Sequence, residues 1–308
     1  MMAHNIIKSI ALFAFIFTCS PEAFSQRWKK YRQEVMFGIG ATNFLGELGG
    51  RNSVGRPFLV DFDAAATRPA VQAGYLYKFA RHSKVRANLA WGVLRGDDQF
   101  TEEPFRNNRN LHFRSHLLEF SGKYEFMFNQ DYYGNRYRIK GAKTRFYSFN
   151  TSFYGFVGLG GFYFNPQAFY NGSWVNLQPL GTEGQGLPDE PKKYSRFNIA
   201  IPIGGGVRYA FSERWRLGLE LSHRITFTDY IDDVSTNYYD NDKLRKYRGD
   251  VAANIADPNK GQFPGQLNED GKSRAGIQRG NPNNNDSYMF LMVNIYYILP
   301  NKAYRFKF

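Results

Sequence analysis

Two groups of residues in this 308-residue chain could do chemistry. His112 and His116 stand four apart and follow Asp97 and Asp98. A histidine held against a carboxylate can serve as a general base in a proteolytic or lipid-modifying site. The second group is "TDYIDDVS" (228–235), which supplies Asp229, Asp232 and Asp233. Carboxylates this close could hold calcium. They could equally bond the backbone of a turn, which is the commoner use of such a run. The turn-rich "RGNPNNNDSY" (279–288) adds Arg279 and Asp286, which could brace the acidic run from across the fold. No serine-nucleophile motif and no metal-ligand spacing accompanies the His–Asp group. The single cysteine is Cys19, so neither a disulfide nor a cysteine-based metal site is expected. The expectation is a protein that is not an enzyme and needs no cofactor or metal.

What positions these residues is a repeated alternation. In "FNIAIPIGGGVRYAFSERWRLGLELSHRITF" (197–227), apolar side chains fall on every second position. Between them stand Gly, Ala, Ser, Arg208, Arg216, Glu220 and Arg224. Period two means strand, because successive side chains point to opposite faces of a sheet. This stretch reads as two strands joined by the turn at 212–215. The same pattern recurs at 35–44, 70–79, 85–94, 116–128, 147–164 and 288–299, which makes eight strands. Each is near or above the ~9–11 residues that a tilted membrane-spanning strand needs.

The connections alternate in length. "RHSK" and "SERW" are short turns, whereas about 45–68, 95–112, 165–196 and 231–286 are long loops. Outer-membrane barrels sort their connections this way, with short turns on the periplasmic side. Aromatics make up 18% of the chain, with 29 Phe and 21 Tyr, enough for an apolar outer wall with aromatic girdles. Tyr77, Phe79, Phe126, Phe128, Phe211 and Trp215 are expected at the turn-side girdle. Phe162, Phe164, Phe227 and Tyr230 are expected at the loop-side girdle. The apolar run 10–19 follows Lys8 and precedes Ala23-Phe24-Ser25, so 1–25 reads as a secretory signal peptide. The fold class expected is all-β: an eight-stranded antiparallel transmembrane barrel over 26–308, monomeric and surrounded by outer-membrane lipid.

In such a barrel the polar face of each strand points inward. An eight-stranded bore has room only for side chains. Arg86, Glu119, Lys123, Glu125, Arg208, Arg216, Glu220 and Arg224 are therefore expected to pair and fill it, leaving no conducting pore.

The formal net charge is +13. By this topology the periplasmic pieces (26–34, 78–84, 129–146, 212–216 and 300–308) hold +14, and the four outer loops hold −2. Such a basic rim suits an acidic partner or anionic headgroups, and the compartment argues against nucleic acid. One periplasmic connection breaks the short-turn rule. "NQDYYGNRYRIKGAKTRFY" (129–147) interleaves Arg136, Arg138, Lys140, Lys143 and Arg145 with Tyr137. Tyrosine with arginine is what protein interfaces favour, so this hairpin is a candidate docking element.

"GATNFLGELGG" (40–50), "TRPAVQAGYLYKF" (67–79), "TDYIDDVS" (228–235) and "RGNPNNNDSYMF" (279–290) together resemble the PorG-type outer-membrane barrels of Bacteroidota. The resemblance implies a part in the type IX secretion system, which also serves gliding motility. It implies a link from the outer membrane to a periplasmic ring of PorK-like and PorN-like proteins. It carries no catalytic residues. The alternative expectation is a structural or adhesion barrel of OmpA or OmpX type acting through its outer loops.

Overall fold

The computed structural model describes residues 32–48, 67–101, 103–129 and 150–299. Nine strands are present among them: β1 (Gln33–Leu45), β2 (Arg68–Lys78), β3 (Ser83–Asp97), β4 (His112–Met127), β5 (Thr151–Tyr170), β6 (Ser173–Asn176), β7 (Phe197–Ala210), β8 (Trp215–Thr226) and β9 (Ser287–Ile298). Eight of them close a ring. Each pairs antiparallel with its neighbours in chain order, β5 pairs with β7, and β9 returns to β1. Closure leaves no unpaired edge, which is the condition for strands to sit in lipid. The chain is an eight-stranded antiparallel transmembrane barrel.

The outward wall is apolar. Phe37, Ile39, Leu89, Phe120, Leu159 and Leu219 all face out, with Phe120 63% exposed. A soluble monomer seldom exposes one continuous apolar surface on this scale, whereas lipid solvates it. Phe79, Phe126, Phe128, Phe211 and Trp215 ring the turn end and are exposed. At the loop end the sequence-based girdle needs correction. Phe227 faces out, but Phe162 and Phe164 are 1% and 0% exposed and lie inside the barrel. Their strand carries glycine on both faces, at Gly155, Gly158, Gly160 and Gly161, so its pattern does not fix which face is inward.

β5 runs on to Tyr170, past the residue where a loop was expected. It folds back as β6 through Asn171 and Gly172, both with positive φ (47° and 80°). Asn-Gly is the preferred pair for such a two-residue turn because both positions need the left-handed region.

The loops carry four short helices: α1 (Pro104–Arg109), α2 (Leu177–Leu180), α3 (Asn241–Arg248) and α4 (Asp250–Ala256). Local chemistry starts and stops them. Glu103 and Asp240 cap α1 and α3 by accepting from the first free backbone N–H groups. Asn110 and Gly181, in the left-handed region, end α1 and α2. Leu111, Leu177, Ile231, Val234 and Ile255 from the loops join Phe44, Phe113, Phe164 and Phe290 from the barrel in one core. The loops thus form a packed cap over one mouth. Its core continues down into the bore.

Candidate functional site

The bore contains two layers. Nearer the turns lies a buried ion network. Arg86 holds Glu220 with both terminal nitrogens, at 2.7 and 3.0 Å, and its Nε lies 3.0 Å from Glu125. Arg208 reaches Glu125 at 2.5 Å. Arg224 Nε meets Glu119 at 3.0 Å, and Lys123 Nζ stands 3.9 Å from Glu220. Four cations share three carboxylates here. Aromatic faces take up part of the excess, since Arg208 lies over the rings of Tyr154 and Tyr296 at 4.0 and 4.3 Å, and Lys123 lies 5.0 Å from that of Phe156. Tyr154 and Tyr288 donate to Glu220 and Glu119 at 2.7 and 3.0 Å.

Arg216 stands apart from this group. It is buried at the turn end and donates to the carbonyls of Ser212 and Glu213. Sequence reasoning missed Glu34 and Lys84, which pair at 2.6 Å in the bore. Both alternate with outward Val35 and Val85, so the period-two rule places them inward.

Nearer the cap the filling is aromatic. Phe44 packs edge-on to Phe113 with ring centres 4.9 Å apart, and Phe162 packs against Tyr288 at 5.6 Å. The expectation that charge fills the bore therefore describes one layer, and the cap-side layer is apolar.

Above that layer the acidic residues act as braces. Asp232 accepts from the backbone N–H groups of Leu48 and Val234 at 3.1 and 3.0 Å. Asp286 accepts from Ile231 N–H at 2.8 Å. Asp233 accepts from the hydroxyls of Tyr194, at 2.6 Å, and Thr182. Arg279 donates to Glu183 at 2.8 Å and to the Asp233 carbonyl at 2.6 Å. Glu183 also takes the N–H groups of Ser235 and Thr236. One arginine and one glutamate thereby tie the loop before β7 to both ends of the long β8–β9 loop. Nothing in the pattern around Glu183 marks it in the sequence. A second tie is Arg109, bidentate to Asp98 at 2.7 and 3.0 Å and bonded to the Arg279 carbonyl at 2.6 Å.

Burial raises the carboxyl of Asp229 to about 8 and that of Asp233 to about 6, the latter against the pull of Arg279. Burial and neighbouring carboxylates push Asp232 and Asp286 well above the usual range. Among the described residues no group of three or more His, Cys, Asp or Glu side chains has the arrangement of a metal site. A cavity under the cap, lined in part by Leu48, Leu177, Asp232 and Arg279, measures about 10 Å³. That is room for about one water.

The His–Asp pair does not assemble. Asp98 is taken by Arg109. His112 Nε2 accepts the Phe169 N–H at 3.0 Å, and His116 stacks on Trp91 with ring centres 5.9 Å apart. The tyrosine- and arginine-rich hairpin residues Arg136, Tyr137, Arg138, Lys140, Lys143 and Arg145 lie outside the described residues.

No family model matches this sequence, and no curated protein matches it. Solved structures do resemble it. Neisserial surface protein A shares 8% identity at a TM-score of 0.35, over 87% of this chain and 96% of its own. Ail, the attachment invasion locus protein of Yersinia pestis, shares 8% at 0.37, over 88% and 99%. The outer membrane enzyme PagL shares 11% at 0.32, over 86% and 99%. Likeness at this level adds nothing beyond the barrel already described.

Proposed function

We propose that this chain is an outer-membrane barrel that conducts nothing and works through the surface of its cap. It would serve as a structural or adhesion barrel of OmpA or OmpX type. The observation that carries this reading is the continuous filling, from ion network to aromatic layer to cap core. A filled bore passes no solute, and a cap tied by Arg279 and Arg109 holds its surface in one shape. Pre-organisation of this kind lowers the entropic cost of binding a partner. Among the described residues, the His112, His116, Asp97 and Asp98 group is not assembled into a catalytic pair. The segment 1–25 would direct the chain to export.

The test is a pair of deletions in a host that carries the protein. Shortening 240–280 should remove surface binding and envelope integrity, and trimming 131–145 should leave both intact. The reverse result would move the function to the opposite face.

A second reading has its own support in the distribution of charge. The periplasmic pieces hold +14 against −2 in the outer loops, and 129–147 alternates arginine and lysine with tyrosine. Under the resemblance to PorG-type barrels, this rim would tether a type IX periplasmic ring of PorK-like and PorN-like proteins. Photo-crosslinking from Tyr137 in cells tests it. Capture of an abundant ring protein supports the tether, and capture of lipid alone removes the hairpin from the mechanism.

A further inference from the structure

The outward face of the barrel carries an unusual pair just below the cap. Arg95 on β3 and Arg114 on β4 stand directly opposite each other in register. Like charges so placed repel and destabilise a strand pair. Arg95 has Asp97 beside it at 3.3 Å. Among the described residues Arg114 finds neutral partners: it donates to Gln167 at 3.1 Å and lies over the Trp174 ring at 3.9 Å. A third guanidinium, Arg196, joins them on the β5 side. It donates to Asn165 at 3.2 Å, and Asn165 is the register partner of His116, two positions from Arg114. Arg196 also lies 5.5 Å from the Tyr163 ring. Among the described residues, Asp97 is the carboxylate bonded to any of these three arginines.

The height of the cluster matters. Below Arg114 the outward positions become His116, then exposed Leu118 and Phe120. Trp91 lies opposite Leu118. Four residues of strand at ~3.3 Å each, tilted by ~40°, put Arg95 and Arg114 roughly 10 Å above the apolar belt, and the Arg196 side chain reaches toward them at Asn165, the register partner of His116. That height is where headgroups begin, and Trp and Tyr are enriched at the same level. Among the described residues on the other side of the barrel, outward Ala41, Ile225, Phe227 and Leu291 bring no cation to the rim. The cluster runs from β3 across β4 and β5 to the start of β7.

We propose that Arg95, Arg114 and Arg196, two of them lying over the rings of Trp174 and Tyr163, form a binding site for the phosphorylated headgroup of an outer-leaflet lipid. Guanidinium forks match phosphate oxygens, and a bound phosphate turns the Arg95–Arg114 repulsion into two attractions. This inference rests on the chain lying in an outer membrane with its cap outward.

The test uses the full chain folded into phosphatidylcholine nanodiscs containing lipid A, either diphosphorylated or dephosphorylated. Native mass spectrometry then reads the lipid retained on the released barrel. The barrel should keep a diphosphorylated lipid A at least tenfold more often than the dephosphorylated form. The triple variant Arg95→Gln/Arg114→Gln/Arg196→Gln should lose that preference. A control that removes equal charge from the exposed cap, Lys243→Gln/Lys260→Gln/Arg274→Gln, should keep it. If the wild type inserts but shows less than a twofold preference, or if the triple variant matches it, the site is wrong and the membrane reading stands. If the wild type does not insert at all, both fall together.

Discussion

Changing Glu220 to glutamine probes the bore most sharply. The side chain is fully buried and accepts from both terminal nitrogens of Arg86 and from Tyr154. Glutamine keeps the shape and one acceptor but removes the charge. The network would then hold four cations against two carboxylates. Removing one partner of a buried ion pair costs about 3–5 kcal/mol, because the other charge is left in a medium that solvates it poorly. Arg86 keeps Glu125 at 3.0 Å, so the lower end applies, about 3 kcal/mol. This corresponds to roughly a hundredfold in the folding equilibrium. The assay is urea-dependent folding into lipid vesicles, followed by tryptophan fluorescence. The double variant Arg86→Met/Glu220→Leu removes one cation with one carboxylate and should recover part of the loss, since Lys123 and Tyr154 still lose Glu220 as a partner. A Glu220→Gln variant within about 0.5 kcal/mol of wild type would refute the reasoning, because water would then have to reach the bore.

Other outcomes follow from the same geometry. Arg279→Ala should loosen the cap, seen as rapid protease cleavage within 231–286, while the barrel core stays folded. Gly206→Ala would press a methyl group against Tyr154 Oη at 2.7 Å and the Leu219 carbonyl at 2.5 Å. Overpacking of this kind costs about 1–3 kcal/mol, readable in the same urea titration. The cap should also grow less stable as pH rises. Asp229 has a folded-state value of about 8 and an unfolded value near 4, so between these the folded form binds more protons. The stabilisation is complete at the acid end of that window and is lost as pH climbs through 8. Cap proteolysis should be faster at pH 8.5 than at pH 5.5, and Asp229→Asn should weaken that dependence, leaving the part contributed by Asp232, Asp233 and Asp286.

The barrel was legible because one face of each strand had to meet lipid. Period two then fixes register and direction together, as in Leu217, Leu219 and Leu221 against Arg216, Glu220 and Arg224. Where that contrast fades, so does the reading. Small residues on both faces of 155–161 hide which side is inward, so the pattern puts Phe162 and Phe164 in the outer girdle, whereas they face the bore. Some missed features had a local signal. Asn171-Gly172 marks the β5–β6 turn, and Asp240 with Gly249 brackets α3. Of the cap's ties, Arg279 is marked by its turn-rich run beside the acidic residues, but its partner Glu183 is not. Glu183 and Arg279 stand 96 residues apart, and only the closed ring brings their loops together.

The central claim is a closed barrel that crosses an outer membrane with its cap on the cell surface. The direct measurement is labelling of single cysteines in intact cells, in a Cys19→Ser background, with a membrane-impermeant maleimide. Phe105→Cys, exposed on α1, should label in intact cells. Arg81→Cys, in the turn between β2 and β3, should label only after the outer membrane is permeabilised. Labelling at Arg81 but not Phe105 in intact cells would contradict the orientation, and equal labelling of both would contradict the membrane crossing.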